Sequence, residues 1–296
     1  MNVSVIIVTR ARPESVARLA RSLEPQIEPG RHELLIAENG TAAPSPVEIA
    51  TVAPIHLHDP RPGKCRVQNR AIAEARGEII VCLDDDLVVA PDYIAEVEAF
   101  FGAHPEFAAM KGRILPVEDP IEKVGAAAAY LDLPIVDHGE AVIEVRGVIG
   151  ANMAFRAAAL RQVGPFDERL GPGAAGHEEE TEMSQRLQRA GFRIGYAPRA
   201  IVYHEVDPAR ADRARFIRIA HERGFCRTLH ESHSPVKARL DAMVAAVRLL
   251  AARTLGARAE RRAREEKRLA IARGILDGLR ANGDYRRSSK TSTSLP

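Results

Sequence analysis

The sequence predicts an α/β fold in which a mainly parallel sheet is flanked by helices and followed by a helical appendage at the C-terminus. The first observation is that strand-length apolar runs, at residues 3–8 and 79–83, alternate with segments of helical periodicity such as 13–23. Alternation of this kind is typical of strands that pair in parallel with helices on both faces of the sheet. The second observation is that Arg- and Ala-rich sequence with few strand formers begins near Pro208, so we do not expect it to join the sheet.

The elements follow one another as strand and helix units. Residues 3–8 predict a buried strand, and Pro13 suits the first turn of a helix whose apolar stripe is Val16, Leu19, Ala20 and Leu23. Further strands are predicted at 34–37, 55–57, 79–83, 141–149 and 200–203, and further helices at 64–75, 157–163 and 178–190. These patterns divide the chain into a sheet domain, residues 1–205, a helical extension, 206–283, and a polar tail, 284–296, that we expect to be disordered.

The composition argues against several classes of protein. The 296 residues include 42 Lys and Arg against 40 Asp and Glu, and the net charge of +2 gives no reason to expect a nucleic-acid partner. The three cysteines form no C-x-x-C pair, which argues against a disulfide framework or a structural zinc site. The N-terminus lacks the pattern of a signal peptide, and no apolar run is long enough to span a bilayer. We therefore expect a cytoplasmic protein, in solution or at the membrane periphery.

Three adjacent carboxylates, Asp84, Asp85 and Asp86, follow the buried strand at 79–83. They repel one another and resist desolvation, so stability alone does not explain them there. An acidic turn that caps the next helix is one interpretation. The other is a site for a hard divalent cation, Mg²⁺ or Mn²⁺, because a D-x-D pair after a strand offers carboxylate oxygens and leaves positions for water and phosphate.

A second acidic cluster, residues 178–180, starts a predicted helix behind the Gly-rich loop 171–176. Acidic residues are favoured in the first turn by the helix dipole, so capping is one explanation. A general base is the other, if the surroundings raise the pKa of one carboxyl toward neutrality. His204 follows the strand at 200–203, and on its own it is explained as a structural histidine as well as by metal binding.

Several short motifs occur in a fixed order. They are "VTRARP" at 8–13, "IAENG" at 36–40, "GKCRVQN" at 63–69, "CLDDD" at 82–86, and three later segments at 150–156, 166–170 and 176–187. Each motif alone is weak, but their order and spacing over residues 3–205 resemble the family-2 glycosyltransferases. The resemblance implies the GT-A fold, a Rossmann-like sheet with a nucleotide-binding half, 1–106, and an acceptor-binding half, 107–205.

The resemblance also implies roles for particular residues. The donor side of the site is implied to contain Thr9, Arg12, Glu38, Asn69, Asp84, Asp85 and Asn152. The metal is implied to bind Asp84 and Asp86 of the D-x-D pair together with His204. Glu180 stands where the family has its catalytic Asp, and Glu179 where it has the preceding Glu. Because adjacent residues on a helix point about 100° apart, either could face the acceptor, and both alternatives stay open.

The predicted function is metal-dependent, inverting transfer of a sugar from a nucleotide-diphosphate donor, with UDP preferred, to an acceptor hydroxyl, with Mn²⁺ or Mg²⁺ as cofactor. One alternative is a nucleotide-sugar-binding protein without activity. A sugar-phosphate nucleotidyltransferase is less favoured, because the turn after the first strand has no glycine to form a phosphate loop.

The Arg-rich extension has two interpretations. Its charges are explained as solvated helix faces, with Glu260, Glu265 and Glu266 placed to pair with nearby arginines. The alternative is contact with an anionic membrane or a second copy of the chain, through an apolar patch beside the arginines. The residues of this patch are Met243, Val244, Val247, Leu249 and Leu250.

Overall fold

A computed structural model describes residues 1–44, 47 and 53–291, with the backbone alone for 283–291. The chain divides into two units. The first comprises residues 1–118, 133–174 and 179–206, and the second comprises 119–132, 175–178 and 207–296. All strands of the sheet belong to the first unit, and the long C-terminal helices belong to the second.

The first unit is built on one sheet, which has nine strands within the described residues. Their order is β3-β2-β1-β4-β8-β6-β9-β5, and β7 pairs with β9. The strands are β1 Val3–Thr9, β2 His32–Asn39, β3 Ile55–Asp59, β4 Ile79–Asp84, β5 Leu87–Val89, β6 Phe107–Pro116, β7 Ile143–Glu144, β8 Asn152–Arg156 and β9 Arg193–His204. The α-helices are α1 Pro13–Leu23, α2 Lys64–Glu74, α3 Tyr93–Ala103, α4 Pro120–Val124, α5 Ala157–Val163, α6 Glu179–Arg189, α7 Arg213–Arg227, α8 Pro235–Thr254 and α9 Ala259–Thr291.

The predicted α/β fold is confirmed, with a difference in strand direction. Strands β3, β2, β1 and β4 pair in parallel, as the alternation of strands and helices predicts. Beyond β4 the sheet is mixed, because β8 runs antiparallel to both β4 and β6. The prediction of a mainly parallel sheet therefore describes one half of it.

Both faces of the sheet are covered, which explains why β1 is buried along its whole length and mostly apolar. Its alternate residues Val3, Val5 and Ile7 pack in one cluster with α1 and α3. Ile6 and Val8 point the other way, into a cluster with α2, α5 and α6. Because helices cover both faces of β1, β2 and β4, solvent reaches this part of the sheet at the strand ends and at the loops that follow them.

Two predicted strands have different bounds in the structure. The alternating segment 141–149 forms only the two-residue strand β7, and both of its residues are exposed. The segment predicted at 200–203 is the end of a twelve-residue strand, β9, whose pairing with β6 shifts register between Gly112 and Arg113. Gly112 is opposite Ala197 and Arg113 is opposite Ile201, so Pro198 lies in a bulge.

The second unit is helical. Helices α7 and α9 approach so closely that a Cβ atom on Gly224 would lie 2.0 Å from the Ile271 carbonyl oxygen, and one on Gly274 2.0 Å from the His221 carbonyl oxygen. In the described part of the chain, no helix combines the length and the apolar character that crossing a bilayer requires. Of the tail predicted at 284–296, residues 292–296 lie outside the described residues, and the backbone of the rest continues α9 to Thr291. Disorder of this tail stays a prediction.

Candidate active site

The carboxyl ends of three neighbouring parallel strands bring predicted site residues to one edge of the sheet. Thr9 at the end of β1 is opposite Glu38 of β2, and Val8 is opposite Asp84 of β4. In sheets of this kind ligands bind in the crevice outside the carboxyl ends of the strands. The polar groups that follow these strands therefore share one site.

Asp85 lies at the centre of a hydrogen-bonded network at this edge. The Thr9 hydroxyl donates to Asp85 Oδ2 at 2.7 Å, and Arg12 Nη1 donates to Asp85 Oδ1 at 3.0 Å and to Asp86 Oδ2 at 3.3 Å. Burial raises the pKa of the Asp85 carboxyl, against the lowering effects of Thr9 and Arg12. Asp85 thus fixes the position of Arg12 beside Asp86.

Glu38 is completely buried, and its Oε2 lies 3.6 Å from Nε2 of His56 on the neighbouring strand β3. The next residue, Asn39, ties the strand end to the loops around it. Its amide donates to the Thr9 carbonyl at 3.1 Å and accepts from the Gly63 N–H at 3.2 Å. Glu38 is therefore held rigidly at the base of the edge.

Asp86 and His204 form a second group, because β5 and β9 pair antiparallel immediately after Asp86. His204 Nε2 lies 3.3 Å from Asp86 Oδ1, and His204 Nδ1 lies 2.8 Å from the Glu205 carbonyl oxygen. Because a carbonyl oxygen only accepts, Nδ1 carries a proton in that contact, and Nε2 is the ring nitrogen that faces the Asp86 carboxylate. A carboxylate oxygen and a ring nitrogen at this distance can hold a cation or a proton between them.

A carboxylate and an imidazole are both ligands for divalent cations, and a hydrogen bond from the other ring nitrogen is usual for a metal-binding histidine. Asp86 and His204 therefore fit Mn²⁺ or Mg²⁺ as two ligands. Within the described residues, no group of three or more His, Cys, Asp or Glu side chains converges in the manner of a complete metal site. Asp84 points elsewhere, to Lys64.

Lys64, the first residue of α2, joins the strand end to the second acidic cluster. Its Nζ donates to Asp84 Oδ1 at 2.8 Å and lies 3.5 Å from Glu179 Oε1. Burial by itself lowers the pKa of this ammonium group, but Asp84, Glu179 and Glu180 together raise it well above its usual range. One buried cation thus faces three carboxylates, so it cannot balance all three in the ionised form.

The two candidate base residues have different surroundings. Glu179 is 3% exposed, and burial, followed by the charge of Glu180, raises its pKa to about 8 in spite of Lys64. Glu180 is partly exposed, and its Oε1 accepts the backbone N–H of Gly150 at 3.1 Å. Of the two carboxylates, Glu180 is the one open to solvent, while burial and the raised pKa of Glu179 favour its protonated form at neutral pH.

Two residues implied to bind the donor make structural contacts within the protein. The Asn69 amide donates to the Phe166 carbonyl at 2.9 Å and accepts the Phe166 N–H at 2.8 Å, which fixes the loop before α6. Asn152 is fully buried, accepts from the Tyr93 hydroxyl at 2.8 Å, and donates to the carbonyls of Arg113 and Ala200. Those two carbonyls lie at the bulge in the β6–β9 pairing, so Asn152 compensates for the interrupted ladder. Its backbone is opposite Leu83, next to Asp84 at the end of β4.

Sequence reasoning missed Lys64 and His56. Lys64 stood inside the "GKCRVQN" motif, but a Lys in the first turn of a helix has no special signal until the carboxylates around it are known. His56 alternates with His58 along β3, and nothing in that spacing connects it with Glu38. The tertiary fold places both residues beside the carboxylates that they contact.

Comparison with known proteins agrees with the predicted fold. The chain is 27% identical over 218 residues, 69% of its length, to a pre-mycofactocin glycosyltransferase of Mycobacterium tuberculosis, and it covers 43% of that protein. Among solved structures, TarS 1–349 of S. aureus in complex with UDP-GlcNAc aligns with a TM-score of 0.54 at 16% identity, over 83% of this chain and 71% of that one.

The mannosyltransferase PcManGT of Pyrobaculum calidifontis, in complex with GDP-Man and Mn²⁺, aligns with a TM-score of 0.53 at 18% identity, over 100% of this chain and 81% of that one. These structures show a shared fold, the GT-A fold that the motifs predicted. The profile described as Glycosyl transferase family group 2 matches residues 79–252, more than half of the sequence. This chain therefore belongs to the family-2 glycosyltransferases.

Proposed function

We propose that the chain transfers a sugar from a uridine diphosphate donor to an acceptor hydroxyl, with inversion at the anomeric carbon and with a divalent cation bound. The observation that carries this proposal is the position of Lys64. Its contacts with Asp84 and Glu179 bring the end of β4 and the start of α6 to one place. A donor-binding edge and a candidate base therefore belong to the same site.

The donor side lies in residues 1–106 in this proposal. Glu38, buried beside His56, supplies a carboxylate that can accept the ring N–H of uracil. Thr9 and Arg12 lie between this carboxylate and Asp86, so the ribose and the diphosphate would follow that path. The structure of TarS holds UDP-GlcNAc, which supports a uridine nucleotide in a related fold.

Asp86 and His204 would hold the cation, and the PcManGT structure, which contains Mn²⁺, supports a metal in a related fold. A bound Mn²⁺ or Mg²⁺ would supply positive charge beside the diphosphate, where negative charge develops as the donor bond breaks. Arg12, which contacts both Asp85 and Asp86, adds a fixed positive charge from the protein itself.

Residues 107–205 supply the base. The acceptor hydroxyl loses its proton to Glu180, and its oxygen forms the new bond to the anomeric carbon on the face opposite the diphosphate. The bond from this carbon to the diphosphate breaks, and its electron pair leaves with the nucleoside diphosphate. Because one direct displacement occurs, the anomeric configuration inverts. The Gly150 N–H holds Oε1 of Glu180, which orients the carboxylate for this step.

The test is a thermal-shift panel of nucleoside diphosphates with and without Mn²⁺. UDP with Mn²⁺ should raise the Tm most, because a ligand that binds only the native state stabilises it in proportion to its excess over Kd. Asp86→Asn should abolish the Mn²⁺-dependent part of the shift and keep the metal-free part. The control is Asp92→Asn, at an exposed carboxylate before α3.

Two results would contradict the proposal. One is a Tm that no nucleoside diphosphate raises, which removes the donor site. The other is an Mn²⁺-dependent shift in Asp86→Asn equal to that in Asp92→Asn, which removes Asp86 from the metal site.

A further inference from the structure

Helix α8 of the second unit is apolar on two opposite faces. Its inner face consists of Ala238, Ala245, Leu249 and Ala252, which are all buried, and α8 packs on α9. This face is the ordinary amphipathic stripe of a surface helix. It explains the small residues of α8, which allow a close approach to α9.

The outer face of α8 is apolar too, and it is exposed. The exposed fractions of its large side chains lie between 52% and 74%. The residues are Val236, Leu240, Met243, Val247 and Leu250, and they form what we call the outer stripe. Their separations alternate between four and three residues, so they line one side of the helix. The sequence-predicted patch included Leu249, which is buried and belongs to the inner face.

The outer stripe is not a scatter of single apolar residues. It runs almost the length of the helix, and Leu255, 80% exposed, extends it beyond the last turn. A contiguous exposed apolar surface in a soluble domain marks a contact with another surface. Within the described residues, this is the longest run of exposed large apolar side chains along one element.

Basic side chains border the outer stripe on both sides. Lys237 and Arg239 lie on opposite flanks at its start, and Arg248 and Arg253 lie on opposite flanks toward its end. Arg248 and Arg253 also pair with the buried carboxylates of Glu265 and Glu266. Exposed arginines continue the positive charge toward α9, at Arg258 just before the helix and at Arg261 and Arg262 in its first turn. On α8 itself, Asp241 is the one acidic residue.

This charge pattern favours one of two possible partners for the outer stripe. A second copy of α8 on the outer stripe would bring basic flanks against basic flanks, whereas paired helices are selected by opposite charges at the flanking positions. A surface with negative charge complements the flanks on both sides. An amphipathic helix with an apolar face between basic residues is suited to an anionic bilayer, where the apolar side chains enter the boundary between headgroups and acyl chains.

We propose that the outer stripe of α8 docks the protein on an anionic membrane surface. Val236, Leu240, Met243, Val247 and Leu250 enter the headgroup boundary, and Lys237 and Arg239 contact lipid phosphates. A cavity of about 500 Å³ opens beside α8, lined by Lys237, Arg248 and Arg268 together with apolar Val244 and Ile275. The lining of this cavity is mainly basic and apolar, with Asp241 as its one acidic residue, and it suits a lipid headgroup and the start of its chains.

The experiment is flotation of the full chain with vesicles, without nucleotide sugar, so that its outcome does not depend on the proposed transferase activity. The vesicles are phosphatidylcholine alone, or phosphatidylcholine mixed with phosphatidylglycerol. The chain should float with the mixed vesicles only, and added salt should weaken binding because it screens the surface charge.

Two variants separate the apolar and the electrostatic contributions. Val247→Gln with Leu250→Gln should lower the partition coefficient by about tenfold, since apolar area no longer enters the membrane. Lys237→Gln with Arg239→Gln should lower it by about tenfold or more, and should reduce the salt dependence. The matched control is Ala246→Gln, at an exposed position of α8 outside the outer stripe, which should bind as the wild type does.

Three results would overturn the proposal. The first is equal flotation with both kinds of vesicle, or with neither. The second is wild-type binding by the Val247→Gln, Leu250→Gln variant, with circular dichroism showing that it is folded. The third is a wild-type dimer in sedimentation that this variant dissociates, because the outer stripe would then be occupied by a second copy.

Discussion

The ammonium group of Lys64 interacts with several carboxyl groups of the site at once. It is nearly buried, and Asp84, Glu179 and Glu180 are all close enough to raise its pKa. The same burial raises the pKa of Glu179. A cluster of one ammonium group and three carboxyl groups is most stable when a carboxyl that solvent cannot reach keeps its proton. Glu179 is the carboxyl of this cluster that fits that description.

Removal of the Lys64 charge should therefore destabilise the fold. We expect Lys64→Met to lower the free energy of unfolding by about 3 to 5 kcal/mol, the usual result of removing one partner from a buried ion pair. Urea denaturation at neutral pH is the measurement. Glu179→Gln in the same chain should restore part of the loss, because one carboxyl fewer then needs balance. A double variant no more stable than Lys64→Met would show that Glu179 is not coupled to Lys64.

Asn152 is a second residue whose importance we expect to be structural. Asn152→Ala should lower the free energy of unfolding by about 2 to 4 kcal/mol, because it leaves the Tyr93 hydroxyl and two buried carbonyls without their partner. Tyr93→Phe removes only one of these bonds and should cost about 1 kcal/mol. If Asn152→Ala unfolds like the wild type but loses UDP affinity, Asn152 binds the donor after all.

At the scale of elements, a glycine packs the loop before α6 against the start of α2. Gly173 has φ +85°, and a Cβ atom there would lie 2.5 Å from the backbone nitrogen of Gly63. The Lys64 N–H donates to the Pro172 carbonyl at 2.8 Å in the same contact. This packing sets where Lys64 begins its helix.

We expect Gly173→Ala to destabilise the protein by about 1 to 3 kcal/mol more than Gly191→Ala does, measured by urea denaturation. Gly191 has nearly the same φ, +84°, and nothing lies within 4 Å of its added Cβ. The backbone strain is therefore matched, and the difference reports the collision with Gly63 alone. Equal losses in the two variants would mean that the loop moves aside without cost.

The elements also show how far the sequence predicts the fold. The strands β1, β2 and β4 were predictable because both of their faces are buried and each contains a run of at least four apolar residues. The strand β6 was not predicted, because Lys111 and Arg113 interrupt its apolar pattern, and β9 was recognised only at its end because Pro198 lies within it. The bulge at Pro198 is tolerated because Asn152 bonds to the carbonyls beside it, a contact between residues far apart in sequence.

The residues of the candidate site were likewise predictable from the sequence only in part. Residues that follow strands, such as Thr9 and Asp85, were predictable because parallel strands place their carboxyl ends at one edge. Lys64 and His56 were not, because their roles depend on which helix and strand lie beside them. Sequence spacing also could not separate Glu179 from Glu180, which burial distinguishes in the structure.

At the scale of the whole molecule, the helical extension is a packed unit of its own. The buried side chains of α7, among them Phe216, Ile219 and Cys226, lie in a unit where α7 and α9 are in backbone contact. A chain that ends at Ser232 loses α8 and α9, so it should expose these side chains and aggregate. A chain that ends at Asn282, the residue that bonds to Thr228, should stay soluble. Light scattering at equal concentration is the measurement, and equal solubility would show that α9 does not complete the packing of α7.

The central claim is that Glu180 acts as the base in glycosyl transfer, and the most direct test is the turnover number of Glu180→Gln beside that of Glu179→Gln. The donor is the uridine diphosphate sugar that raises the Tm most, and the readout is release of UDP with an acceptor alcohol or with water. Glu180→Gln keeps the size of the side chain but not its basicity, so kcat should fall about 10²-fold or more while donor affinity barely changes. Glu179→Gln should lose much less, because it resembles the protonated form that the fold favours. Wild-type turnover by Glu180→Gln would contradict the account.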